Sequence, residues 1–172
     1  KIESETPSAF RLKIRDPYWL ASDMEIKLNG KLIDTDVRDG YLEISRQWSN
    51  GDELELHLPM SVRTESLAGD DKLVALFYGP ILLSAELDPL FARDLVEGDE
   101  APMLLVTGKE AGEWLKPAGS PLEFITRIAV PEEFRIIPFF RNKAGNYTVY
   151  FQAGDKHDWL ERQEAVEDRR TL

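Results

Sequence analysis

The chemistry open to this 172-residue chain is bounded first by its reactive side chains. It has no cysteine, which removes disulfides, thiolate metal sites and cysteine nucleophiles by inventory. Two histidines remain, His57 and His157, and neither has neighbours at metal-ligand spacing. No GxSxG, HExxH, Walker A or Rossmann glycine pattern occurs, so neither a metal nor a cofactor is expected. His57 alternates with Glu53 and Glu55 opposite Leu54, Leu56 and Leu58, which reads as the solvent face of a strand. His157 lies in a charged tail.

Glycosidic hydrolysis needs only two carboxyl groups, ~5 or ~6.5–9.5 Å apart, one of them held protonated by its surroundings. The chain has 32 Asp plus Glu, yet the adjacent pairs Asp70-Asp71, Asp99-Glu100 and Glu132-Glu133 fall in turn-like, solvated stretches. Nothing there would separate the two pKa values, so no catalytic residue is assigned. Exposed aromatic rings are the other candidates, because flat apolar faces stack on sugars. Of Trp19, Trp48, Trp114 and Trp159, the irregular surroundings of Trp114 make it the leading candidate for an exposed, sugar-contacting ring. Trp19, after Pro17-Tyr18, reads first as cover for an end of the core and second as a sugar contact. The strand parity of Trp48 leaves its burial open.

Charge excludes other partners. Against 32 acidic residues stand 21 Lys plus Arg, a net charge of −11 and the wrong sign for nucleic acid or anionic lipid. No apolar run approaches the ~20 residues of a membrane span, and Lys1 to Phe10 lacks the apolar centre of a signal peptide. Cellular location is left open, a periplasmic or extracellular parent included.

Short alternating segments punctuated by turn dipeptides must position any such residues. Phe10, Leu12 and Ile14 alternate with Arg11, Lys13 and Arg15, and Asp16-Pro17 ends that strand. Met24, Ile26 and Leu28 run into Asn29-Gly30, a type I′ hairpin signal leading to Lys31-Leu32-Ile33. Asp39-Gly40 opens, and Asn50-Gly51 follows, the strand Tyr41 to Trp48. Leu73 to Phe77 and Ile81 to Ala85 flank Tyr78-Gly79-Pro80 and are apolar on both parities, as in strands covered on two faces. Leu87 to Gly119 is irregular, with an apolar run at Met103 to Val106 and a short helix expected near Lys109 to Trp114. Arg135 to Phe140 and Tyr147 to Gln152 are expected as a hairpin joined by a polar loop. Asp155 is the expected N-cap of a polar helix or tail, with Asp158 and Arg162 at i,i+4 spacing. The fold class is therefore all-β, an antiparallel, jelly-roll-like β-sandwich at 1–154 with a short C-terminal helix or tail at 155–172.

Phe10-Arg-Leu-Lys-Ile-Arg-Asp-Pro-Tyr-Trp19, Leu28-Asn-Gly30, Gly40-Tyr-Leu-Glu-Ile-Ser-Arg-Gln-Trp48 and Gly51-Asp52 together resemble glycoside hydrolase family 127, the β-L-arabinofuranosidase-like enzymes. The resemblance continues through Leu56 to Met60, Val74 to Pro80 and Tyr147 to Phe151. It implies a parent enzyme whose (α/α)6 barrel carries a zinc, held by Glu and cysteines, and a cysteine nucleophile, followed by β-sandwich material. This chain resembles the β-material alone, having no cysteine onto which that chemistry could be carried. It begins without Met, and Trp159 through Arg170 resembles a segment that precedes further sequence in longer relatives. Both ends are therefore expected to lie inside a longer protein.

Three functions follow as expectations. The first is a non-catalytic accessory domain that packs against and stabilises the catalytic (α/α)6 barrel of an enzyme acting on arabinose-containing plant glycans. The second is a carbohydrate-binding module holding oligosaccharide through exposed aromatics. The third, a hydrolase using its own Asp/Glu pairs, ranks last.

Overall fold

The computed structural model describes residues 1–87, 102–130, 132–143 and 145–170. Its contacts gather into two compact units, Lys1–Ser61 and Val62–Leu172. Within the second unit, Gly154 ends a strand and Lys156 begins a helix.

The first unit is a small sandwich. Strands β1 (Ser8–Arg15), β4 (Val37–Arg38) and β5 (Tyr41–Trp48) form one sheet in the order β1-β5-β4. Strands β2 (Glu25–Leu28), β3 (Lys31–Ile33) and β6 (Leu54–His57) form the other, ordered β3-β2-β6. Alternation decides which side chains meet: Leu12 opposes Ile44 and Ile14 opposes Leu42, and these join Ile26, Trp48, Leu28 and Leu54 in one core. On the outer face Lys13 opposes Glu43, whose carboxylate accepts from Lys13 Nζ at 2.6 Å and lies 3.2 Å from Arg11. Asn29-Gly30 and Asp39-Gly40 all have positive φ, the backbone that type I′ turns require. Leu56, expected inside, is 40% exposed.

The second unit rolls a ten-stranded sheet around one core. Its strands are β7 (Val62–Leu67), β8 (Asp70–Tyr78), β9 (Ile81–Glu86), β10 (Met103–Leu105), β11 (Leu115–Pro117), β12 (Phe124–Thr126), β13 (Ala129–Val130), β14 (Arg135–Pro138), β15 (Tyr147–Thr148) and β16 (Tyr150–Gly154). The main path is β11-β12-β14-β9-β8-β16-β10-β13, with β7 on β8 and β15 on β9. Pairing is antiparallel except for β10 against β16. Val74 and Leu76, Leu83 and Ala85, Leu104, Phe124, Ile136 and Phe151 bury their side chains in the shared core. Helix α1, Lys156–Arg170, closes the described chain.

Two expectations are corrected here. Arg135 to Phe140 and Tyr147 to Gln152 do not form a hairpin: Ala85 pairs with Ile136 in β14 and with Thr148 in β15, so the two strands lie on opposite edges of β9. Pro138 lacks the N–H that a continuing ladder needs, and the chain leaves the strand there as a 3-10 turn, Phe139–Arg141. Asn142 Nδ2 then donates to Ser84 Oγ at 2.9 Å, tying the crossing to β9. The helix expected near Lys109 to Trp114 is only a 3-10 turn, Ala111–Glu113, with Glu110 and Glu113 in a capping box.

Candidate functional site

The sequence candidates for acid–base chemistry are scattered. Asp70 and Asp71 are exposed, and Asp70 Oδ1 is occupied by the N–H groups of Lys72 and Leu73 in a turn. Glu132 and Glu133 are exposed, and Asp99-Glu100 lies outside the described residues. His57 is exposed opposite Glu25, and His157 Nε2 sits 3.2 Å from Glu161 one helical turn away. Among the described residues no group of three or more His, Asp or Glu could hold a metal ion.

The aromatic candidates separate by burial. Trp114, expected as an exposed ring, is only 8% exposed: the 3-10 turn folds it into the second unit's core, and its Nε1 donates to the Lys109 carbonyl at 3.2 Å. That correction has a simple cause. An indole buries its large apolar surface in the core while its N–H finds a nearby carbonyl. Trp48 is fully buried, donates Nε1 to the Phe10 carbonyl at 3.1 Å and stacks on Phe10 at 5.5 Å. Trp19 and Trp159 are half-buried.

Two polar arrangements escaped sequence reasoning. The first unit contains a polar node built on the buried Asp52, whose Oδ2 accepts from the Ser49 N–H at 2.9 Å and Oδ1 from Asn29 Nδ2 at 2.8 Å. Asn29 Oδ1 accepts from the Glu53 N–H at 2.8 Å, and the Arg46 guanidinium lies 3.6 Å from the Asp52 carboxylate. Ser49 first, then Asn29 and Arg46, hold the Asp52 carboxyl below its ordinary range, so it stays ionised and supplies no proton. The node clamps the Asn29-Gly30 hairpin to the turn after β5. Asn29 and Asp52 are 23 residues apart, and strand pairing alone brings them together.

The second arrangement is a cleft of about 300 Å³ beside α1, lined by Lys72, Met103, Gln152, Asp158, Glu161 and Arg162. Asp158 Oδ2 accepts from the Asp155 N–H at 2.8 Å and Oδ1 from Lys72 Nζ at 2.9 Å. The Asp155 N–H, then Lys72, hold the Asp158 carboxyl below its usual range. Its work is structural: it completes the N-terminus of α1, where Asp155 Oδ1 accepts from the N–H groups of His157 and Asp158. Asp155 is thus the N-cap the sequence implied, while Asp158 pairs with Lys72 on β8.

The outer face of the second unit's sheet is the remaining feature. Val74 and Leu76 face the core, so alternation turns Ala75 and Phe77 outward, beside Leu82 and Ser84 of β9 and Tyr150 of β16. The 3-10 turn and β15 add Phe139 (40% exposed), Phe140 (70%) and Tyr147 (46%), next to Tyr150 (39%). The Phe139 and Tyr147 rings meet at 5.4 Å with their planes 53° apart. The Arg63 guanidinium covers Phe77 at 4.4 Å, and that of Arg141 lies 5.6 Å from the Phe140 ring.

Taken together, these residues define a class, an all-β, sandwich-like protein in which Asn29, Asp52, Asp155 and Asp158 hold the chain's own turns. Residues 1–60 match the family model for the middle domain of GH127 β-L-arabinofuranosidases. The resemblance to glycoside hydrolase family 127 expected from the sequence is thus found in a family model over residues 1–60. Three solved chains share the fold. A GH127 β-L-arabinofuranosidase from Geobacillus stearothermophilus T6 aligns with TM-score 0.58 at 22% identity, over 88% of this chain and 28% of its own. A structure described as a glycoside hydrolase gives TM-score 0.60 at 21% identity, over 90% of this chain and 29% of that one. A GH127 β-arabinofuranosidase gives 0.61 at 20%, over 88% and 29%. This chain thus spans less than a third of the length of those relatives. Among curated proteins none matches. No helix among the described residues is long and apolar enough to cross a membrane.

Proposed function

We propose that this chain is the non-catalytic β-domain of a GH127-type enzyme acting on arabinose-containing plant glycans, and that it packs against and stabilises the enzyme's catalytic barrel. The observation that carries this reading is the coverage. Nearly nine-tenths of this chain aligns with 28–29% of chains that include two GH127 arabinofuranosidases, leaving most of their length for other structure. The residue inventory agrees, since the cysteine nucleophile and cysteine zinc ligands implied by the resemblance have no counterpart in this sequence. Packing of one domain on another within a chain commonly buries ~600–1,500 Å² and stabilises both bodies through mutual binding.

The separately produced remainder of the parent enzyme supplies the test. Mixing it with this chain is expected to raise its Tm and its rate on a nitrophenyl β-L-arabinofuranoside, while this chain alone shows no turnover. Unchanged Tm and rate on mixing would remove the packing role. Turnover by this chain alone would overturn the non-catalytic reading.

A further inference from the structure

Strands β8 and β9 are apolar on both parities, a pattern of strands covered on two faces. One face closes the core of the second unit through Val74, Leu76, Leu83 and Ala85. The other carries Ala75, which is buried, and the half-buried Phe77 and Leu82, with the Arg63 guanidinium over Phe77 and the turn at Phe139–Arg141 beside β9. On the strands and the turn bordering it, the Phe139 and Tyr147 rings are in contact, and Phe139, Phe140, Tyr147 and Tyr150 are between 39% and 70% exposed. That amounts to about two whole aromatic side chains of open surface, roughly 300–500 Å² at 150–250 Å² per ring. A patch of that size reaches the largest that soluble monomers ordinarily show, and such patches are commonly functional.

We infer that this aromatic face is the surface on which the catalytic barrel of the same enzyme docks, an inference that rests on the accessory-domain reading above. Its composition is that of a protein interface centre, aromatic rings interleaved with the guanidinium groups of Arg63 and Arg141. A sugar-stacking platform would present open, coplanar rings, whereas Phe139 and Tyr147 cross at 53° and use part of their faces on each other. A second copy of this chain is disfavoured by the net charge of −11 that each copy would bring. The occupant with length to spare is the portion of the enzyme that this chain does not span, some seven-tenths of the GH127 chains it matches.

The test compares the chain with its F140S/Y147S variant for binding to the separately produced remainder of the enzyme, by calorimetry and by Tm. Both substituted rings are exposed, so the variant is expected to keep its own melting temperature while binding the remainder at least about tenfold more weakly. Hydrogen exchange on the unsubstituted chain, free and bound, provides a readout that needs no variant: amides from Arg141 to Tyr150 are expected to slow on binding. Unchanged affinity in the variant, or no slowing in that segment, while the unsubstituted chain binds, overturns this surface and leaves the accessory role intact. Failure of the unsubstituted chain to bind overturns both. Concentration-dependent dimerisation of the chain that the variant abolishes would assign the face to a second copy and refute the barrel as its occupant.

Discussion

Replacing Trp114 by alanine separates a core role from a sugar-stacking one. The ring is 8% exposed, belongs to the cluster with Leu83, Phe124 and Ile136, and donates its N–H to the Lys109 carbonyl. Truncating a buried Trp to Ala costs about 3–5 kcal/mol, a sum of lost transfer energy and the cavity left behind. The Lys109 carbonyl loses a donor as well, worth about 1 kcal/mol where water does not replace it. Against a total stability of about 5–15 kcal/mol, that is a large fraction. At 2–4 °C per kcal/mol for a chain of this size, Tm should fall by roughly 6–20 °C. Trp114→Phe keeps most of the volume and loses chiefly the hydrogen bond, so it should cost far less. Urea unfolding followed by far-ultraviolet circular dichroism measures both variants without depending on tryptophan emission. A cost below about 1 kcal/mol for Trp114→Ala, or weakened arabinan binding with stability intact, would refute the core placement and restore Trp114 as a surface ring.

Other consequences are equally concrete. The Asp52 carboxyl is held low in the folded state, so the folded chain binds fewer protons there than the unfolded chain; its contribution is complete above the ordinary value of 3.8 and is lost as pH falls below it. Denaturation curves between pH 3 and 6 should show stability falling at the acid end, and Asp52→Asn should flatten that slope; an unchanged slope would discount the node. Asp155→Ala removes the acceptor for two N–H groups at the start of α1 and should cost about 0.5–2 kcal/mol, seen as faster amide exchange across Lys156–Arg170. Gly40→Ala meets no atom within 4 Å but must hold φ near +75°, so a loss of roughly 1–2 kcal/mol from backbone strain alone is expected in thermal melts.

Much of the secondary structure was legible because it is local. Alternation at Phe10 to Arg15, the Asn29-Gly30 turn, the twin apolar strands around Gly79-Pro80 and the Asp155 cap each depend on residues within a few positions of one another. The family resemblance was legible too, in the order of short motifs over residues 1–60. What sequence alone misjudged was non-local. Trp114 was taken for a surface ring because its surroundings are irregular, yet it is buried in a cluster whose members run from Val74 to Phe151, most of them far along the chain. The expected hairpin between Arg135 to Phe140 and Tyr147 to Gln152 failed because β14 and β15 each pair with an edge of β9, a strand some fifty residues earlier.

From its residues alone, then, the chain determined its all-β character, its turns, its capped helix and the absence of a thiol, since each follows from short-range sterics or from inventory. Tertiary structure alone decided that Asn29 reaches the buried Asp52, that Trp114 is core, and that the Phe139 and Tyr147 rings meet. Those outcomes depend on strand register, and register is settled by summing weak pairings over the whole sheet rather than by any one segment.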